Sequence, residues 1–400
     1  MRRQWALSLA SLAKRSLQCR LSSSRPPAPL GGRILTSPNE VFQHNMWDHV
    51  QWSEEDEENA RQKAEENSSV RIPLDEQVKY DRDACKYWDG FYETHQNKFF
   101  KDRNWLFREF PEILSGRSSN GAGKEGCCHS AAASSARSYV SDSTAPLTGH
   151  SEWLSTPGCR HTERSKEGGV ESHSLCGEPG REQESGGWTD TFPGSQAAFR
   201  ILEVGCGAGN SVFPIVNSIK DTGTFLYCCD FSPRAVELVK AHPSYSSVLC
   251  YAFVHDVCDE AATFPFPHMS IDIILVVFVL SSIHPERMQG VVNRLTRLLK
   301  PGGILLFRDY GRYDMSQLRF KRGRCLFENF YARGDGTCVY FFTKAEVHSL
   351  FESAGLKEIQ NLEDRRLQVN RRKGVVMHRV WMQSKYQKPL EMDICKDDFP

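Results

Sequence analysis

From Arg200 onward, short apolar runs alternate with segments whose apolar residues recur every three or four positions. The runs Arg200–Val204, Phe225–Cys229, Cys250–His255, Asp272–Leu280 and Ile304–Phe307 read as strands. Asp272–Leu280 is almost continuously apolar after its first residue, the pattern of a strand covered on both faces. Between the runs, Ser232-Pro233 supplies a helix cap followed by proline at the first helical position, opening a helix over Arg234–Ala241. From Pro285 to Lys300, Met288, Val291, Val292, Leu295, Leu298 and Leu299 mark one face of a second helix. Lys300-Pro301-Gly302-Gly303 is expected to stop that helix and turn the chain into the fifth strand. Strand and helix in alternation predict an α/β domain, a doubly wound parallel sheet with helices on both faces.

The rest of the chain divides by composition. Residues 40–114 open with an acidic helical stretch, Glu54–Glu66, then gather Tyr87, Trp88, Phe91, Tyr92, Phe99, Phe100, Trp105, Phe107 and Phe110. They read as an N-terminal helical lobe, a helix pair packing an aromatic face onto the α/β domain at 191–388. In 115–190, 27 of 76 positions are Ser or Gly and only five are Leu, Val, Ile or Phe, so this insert is expected to be disordered. Its Cys127, Cys128, His129, Cys159, His161, His173 and Cys176 match no zinc-ligand spacing, and no metal is expected. Residues 1–39 hold six Arg, one Lys and no acid, with Trp5, Leu9 and Leu12 at helical spacing. That is the composition of a mitochondrial transit peptide, so import into the matrix is expected, with a secretory signal and a merely basic tail as the competing readings. Residues 389–400 form an acidic tail.

Charge adds a partition that the total conceals. Fifty basic and 50 acidic residues cancel, which excludes a uniformly basic nucleic-acid coat. Yet 308–388 carries 17 basic and nine acidic residues, the footprint of a surface for a polyanion. The longest purely apolar run, Ile273–Leu280, falls well short of the roughly 18 residues a membrane span needs, so a soluble chain is expected. Of 14 cysteines, Cys206, Cys228 and Cys229 fall in strand-like runs, as buried thiols of a reducing compartment would.

Candidate chemistry sits where the first strand ends, in Glu203-Val204-Gly205-Cys206-Gly207-Ala208-Gly209-Asn210. Glycines at a strand-to-helix turn let a ligand approach free backbone N–H groups. The spacing Gly-x-Gly-x-Gly differs from the Gly-x-Gly-x-x-Gly of dinucleotide enzymes. Asp230, ending the second strand, is placed to accept both ribose hydroxyls of an adenosine, and Asp256, ending the third, its amino group. Val277, at the end of the fourth, is a candidate wall for the adenine. With Lys-Pro-Gly-Gly before the fifth strand, this resembles a class I S-adenosyl-L-methionine-dependent methyltransferase.

Further segments carry a narrower resemblance: Lys86-Tyr87-Trp88-Asp89-Gly90-Phe91-Tyr92, Phe99-Phe100-Lys101-Asp102-Arg103-Asn104-Trp105 and Phe307-Arg308-Asp309-Tyr310-Gly311-Arg312-Tyr313-Asp314. So do Glu328-Asn329-Phe330-Tyr331, Arg333-Gly334-Asp335-Gly336-Thr337 and Tyr340-Phe341-Phe342-Thr343. The chain is similar to the methyltransferase-like enzymes that make 3-methylcytidine in the tRNA anticodon loop, most of all to the mitochondrial member. The resemblance implies cofactor contacts at Trp88, Tyr92, Gly205, Asp230, Asp256 and Val277, with Gly207 and Gly209 completing the turn. It implies methylation of cytidine 32 in mitochondrial tRNAs for Ser and Thr, with mitochondrial seryl-tRNA synthetase as a candidate partner.

Cytidine N3 has a free lone pair, so the expected chemistry is alignment plus stabilisation of the cationic product. Asp309 is the candidate carboxylate, and Tyr310 or Tyr313 the platform for a splayed base. Arg103, Arg308, Arg312, Arg319, Lys321, Arg322, Arg324, Arg365, Arg366, Arg371, Arg372 and Lys373 are the candidate phosphate contacts. The competing readings are an idle RNA-binding protein that keeps the fold, and a methyltransferase for a small molecule or protein.

Overall fold

The structure is a computed structural model that describes residues 32–115 and 191–390. Residues 1–31 of the expected transit peptide, 116–190 of the insert and 391–400 of the acidic tail lie outside the described residues, whereas Leu35 packs against the buried Val41, Trp47 and Val50.

In chain order the strands are β1 (Met46–Trp47), β2 (Phe199–Val204), β3 (Thr224–Asp230), β4 (Cys250–Val254), β5 (Ile271–Val277) and β6 (Leu299–Tyr310). They continue with β7 (Cys325–Phe327), β8 (Phe330–Ala332), β9 (Cys338–Tyr340), β10 (Lys357–Asn370) and β11 (Val375–Gln387). The helices are α1 (Glu54–Ser68), α2 (Leu74–Arg82), α3 (Ala84–His95), α4 (Leu106–Glu109) and α5 (Val212–Ser218). After them come α6 (Pro233–Lys240), α7 (Pro285–Leu298), α8 (Met315–Leu318) and α9 (Lys344–Glu352).

The main sheet has eight strands in the order β1-β10-β11-β6-β5-β2-β3-β4. The five strands legible from periodicity are its parallel half. At the other edge, which the periodicity did not reveal, β11 pairs antiparallel with both β6 and β10, and β1 closes the edge on β10. A second, three-stranded antiparallel sheet, β7-β8-β9, lies apart from it.

Period-two alternation splits the central strands between two cores. Leu202, Ile274, Val276, Leu305 and Phe307 face the α7 side with Val291, Val292 and Leu295. Ile201, Ile273, Leu275, Val277 and Leu306 face α5 and α6, together with Leu106, Phe110 and Ile113 from the lobe. The fourth strand is shorter than its apolar run: β5 stops at Val277 and Leu280–Ser282 form a 3-10 turn. Lys300-Pro301-Gly302-Gly303 does not separate helix from strand, because β6 pairs with β5 from Leu299 onward and the irregularity lies inside the ladder. There Lys300 donates to both carboxylate oxygens of Asp272 at 2.7 Å, which holds the distorted start of the strand.

The lobe holds more than a helix pair. Ser53 and Asp56 form a reciprocal capping box that starts α1, and α2 runs almost directly into α3 at Asp83. Cys206, Cys228 and Cys229 are buried and free, as expected. Among the described residues no helix is long and apolar enough to cross a membrane, and no His/Cys/Asp/Glu group is arranged to hold a metal ion.

Candidate active site

The turn after β2 requires glycine at three successive odd positions. Gly205, Gly207 and Gly209 have φ of 62°, 54° and 88°, in the left-handed region that glycine enters without strain. Space is equally restrictive. A Cβ on Gly205 would lie 2.5 Å from Val279, on Gly207 2.6 Å from the Tyr92 hydroxyl, and on Gly209 2.4 Å from Phe213.

Asp230, at the end of β3, accepts from the backbone N–H of Gly207 at 2.9 Å and of Ser232 at 3.0 Å. One carboxylate thus ties the glycine turn to the start of α6. Burial pushes its pKa up to about 6, against the pull of those N–H groups. Asp256 accepts from the Cys258 N–H at 2.8 Å just beyond β4. Both acids line a crevice of about 170 Å³ that also touches Cys85, Trp88, Tyr92, Gly205, Phe278 and Val279.

Helix α3 brings two of those rings to the turn. Trp88 and Tyr92 lie one helical turn apart and stack with centroids 5.9 Å apart at 28°. Asp89 fixes the helix in place, accepting from the Ser232 hydroxyl and from the Arg234 N–H at the first turn of α6. Sequence reasoning passed over Asp89, although an acid beside Trp88 facing a capped helix start was the available signal. It also read Arg103 as a phosphate contact, where the structure buries it 3.8 Å from Glu203 beneath the turn. Burial raises Glu203 to about 7, partly offset by Arg103.

Three expectations change. The Val277 side chain is 2% exposed and packs with Leu275 and Leu306, while the next two residues, Phe278 and Val279, line the crevice. Alternation pointed to Val277, but Phe278 takes φ of 61° and turns the chain out of the strand. Asp309 is fully buried and accepts from the N–H groups of Ser281 (3.0 Å) and Tyr310 (2.9 Å), so it positions the loop after β5 rather than facing a base. Burial pushes it up to about 6. Tyr310 is half-buried, 5.1 Å from the Phe278 ring, and Tyr313 occupies a left-handed turn at φ 67°.

The third change concerns the basic set. Arg308 and Arg366 are buried against Asp364, Arg312 is bonded to Glu346, and Arg103 donates to Ser211. These four serve internal bonds and leave the expected phosphate-binding set. Arg365 is engaged by Glu57 and Glu363. Arg319, Lys321, Arg322, Arg371 and Arg372 are exposed, though Arg322 reaches Glu66 and Arg371 donates to Asn45.

Comparison with known proteins decides the family. A methyltransferase-domain profile matches residues 202–305, which span the glycine turn, both acids and Phe278. The tRNA N(3)-cytidine methyltransferase METTL2 of Gallus gallus is 50% identical over 90% of this chain and 95% of its own length. The METTL2 protein of Xenopus tropicalis is 51% identical over 91% and 95%. The chain belongs to the tRNA N(3)-cytidine methyltransferase family. The relative named tRNA N(3)-cytidine methyltransferase METTL8, mitochondrial, of Mus musculus is 52% identical over 66% of this chain and 91% of its own length. A solved S-adenosylmethionine-dependent methyltransferase from Methanosarcina mazei aligns with a TM-score of 0.37 at 18% identity, over 48% of this chain and 93% of that one.

The family's methyl donor is S-adenosylmethionine, and the crevice fits it. Asp230 and Asp256 can accept from ribose and adenine. The glycine turn leaves room for backbone approach, and Trp88 with Tyr92 offers ring faces to a sulfonium.

Proposed function

We propose that this chain transfers a methyl group from S-adenosylmethionine to N3 of a cytidine in the tRNA anticodon loop, at position 32 of mitochondrial tRNAs for Ser and Thr. The observation that carries the reading is near-50% identity to named tRNA N(3)-cytidine methyltransferases over about nine-tenths of both chains, with an intact crevice. The Arg-rich, acid-free 1–39 segment and the mitochondrial relative support import into the matrix. Mitochondrial seryl-tRNA synthetase is the partner to seek in pull-downs.

The cofactor supplies an electrophilic methyl group, and the protein supplies alignment. With the cofactor bound, Asp230 and Asp256 would hold its nucleoside end and the glycine turn with Tyr92 its other end, so that these residues would orient the methyl group. N3 attacks with its own lone pair, which removes the need for a general base and leaves orientation as the main source of acceleration. Asp309 accepts from the backbone N–H groups of Tyr310 and Ser281, which ties the end of β6 to the loop after β5.

The test is full-length protein with labelled S-adenosylmethionine and mitochondrial tRNA transcripts, each beside a copy with uridine at position 32. Label in the parent that vanishes in the variant is expected. Label in both overturns the target, and none in any tRNA despite cofactor binding overturns the activity.

A further inference from the structure

Phe278 is the residue of the crevice whose position the fold least explains. It follows the last residue of β5 and holds φ of 61°, a conformation that bulky side chains rarely adopt and that tends to persist where a side chain's placement matters. Its N–H donates to the Arg308 carbonyl at 2.7 Å, so the turn is pinned to β6. The ring is half-buried and lines the crevice beside Val279, which itself lies over Gly205.

Two neighbours define what that ring faces. The Tyr310 ring stands 5.1 Å away at 51°, so the pair forms an aromatic corner, and a flat base laid on either face meets the edge of the other. Arg103 packs its guanidinium 5.6 Å from the Phe278 centroid and is itself held by Ser211, which fixes the ring. Arg333 lies 5.9 Å from the Tyr310 centroid and is tied to Thr337 and the Cys338 carbonyl.

We propose that Phe278, together with Tyr310, is the platform on which the target cytosine stacks, and that Phe278 is a positioning residue for the transfer; this rests on the function proposed above. In the step, the N3 lone pair forms the new N–C bond and the C–S bond breaks with its electron pair remaining on sulfur. The positive charge therefore moves from the sulfonium onto the cytosine ring. A ring face that holds a neutral base by stacking holds the cationic product more strongly, and its transition state in proportion. The corner thus aligns N3 and also favours charge where it develops.

The experiment uses full-length wild type and Phe278→Leu on a tRNA transcript that wild type methylates. Turnover is measured beside S-adenosylhomocysteine affinity. In parallel, pyrrolocytosine placed at the target position reports stacking by quenching. The expected result is loss of the quench and, at saturating S-adenosylmethionine, a turnover at least tenfold lower in Phe278→Leu, a loss larger than any fall in S-adenosylhomocysteine affinity. Phe278→Tyr should restore both the quench and most of the turnover. Turnover within twofold of wild type in Phe278→Leu overturns the inference. A parallel fall in cofactor affinity and turnover with the quench retained also overturns it, making Phe278 a cofactor wall. Failure of wild type to methylate any transcript overturns the underlying reading, and this inference with it.

Discussion

Arg308 donates to Asp364 across 2.6 Å where both side chains are buried. The guanidinium lies between the rings of Trp105 and Trp381, 5.1 and 4.9 Å from their centroids. Asp364 also accepts from Arg366, which donates onward to Glu109 at the end of α4, and Gln383 donates to the carboxylate of Glu109 as well. The network therefore joins the lobe, the β10–β11 hairpin and β6. Removing one partner of a buried pair strands the other charge, at about 3–5 kcal/mol. Arg308→Met leaves Asp364 with Arg366 as its remaining partner, so the unfolding free energy measured in urea should fall by less than that amount, and the double variant Arg308→Met/Asp364→Asn should recover part of the loss. Strictly additive losses in the double variant would rule out coupling between the pair.

That network also shows where sequence reading stops. The five parallel strands and the glycine turn were legible because apolar period and turn chemistry are local signals. Asp364, Arg366, Gln383 and Lys385 look, residue by residue, like a solvated strand face. They are buried because Glu109 and Glu112, more than 250 positions earlier, cover the hairpin. The basic excess of 308–388 was real, but charge counting does not distinguish Arg308 from Arg319. Asp230, Asp256, Trp88 and Tyr92 do meet at one crevice, whereas Val277 yielded to Phe278 through a single left-handed residue.

Gly207 and Tyr92 occupy adjoining space, with a Cβ on the glycine only 2.6 Å from the phenol oxygen. Gly207→Ala should cost about 1–2 kcal/mol of stability through its left-handed backbone. It should also push Tyr92 out of line and weaken cofactor binding at least tenfold. Tyr92→Phe removes the nearest clashing atom, so the double variant should bind more tightly than Gly207→Ala alone. Calorimetry with S-adenosylhomocysteine checks this; strictly additive losses would separate the two residues.

Asp230 should give cofactor binding an acid limb. Ribose hydroxyls are best received by the ionised carboxylate, and burial has raised its pKa to about 6. Affinity should be level above about pH 6 and fall about tenfold per unit below it. Stability of the unliganded chain moves the other way: a folded value above the unfolded value makes ionisation a cost, absent below about pH 4 and complete above about 6. Asp309, also raised to about 6, and Glu203, raised to about 7, titrate nearby. Asp230→Asn should therefore lower affinity and flatten its pH dependence; a limb that persists in this variant belongs to one of the other two.

The exposed and buried arginines should separate cleanly in their response to salt. Removing one cationic side chain from a phosphate reduces the slope of log affinity against log salt by roughly 0.7–0.9. Arg319 and Lys321 are exposed and two positions apart just after α8, so Arg319→Gln/Lys321→Gln should shallow the slope of tRNA binding by nearly two units. The weakening should be the same for tRNAs with cytidine or uridine at the target position, because phosphates carry no base identity. Arg308→Met, by contrast, should lower stability while leaving the slope of the folded fraction unchanged. Filter binding across a salt series decides the matter, and an unchanged slope in the Arg319/Lys321 variant would place the RNA path on another face.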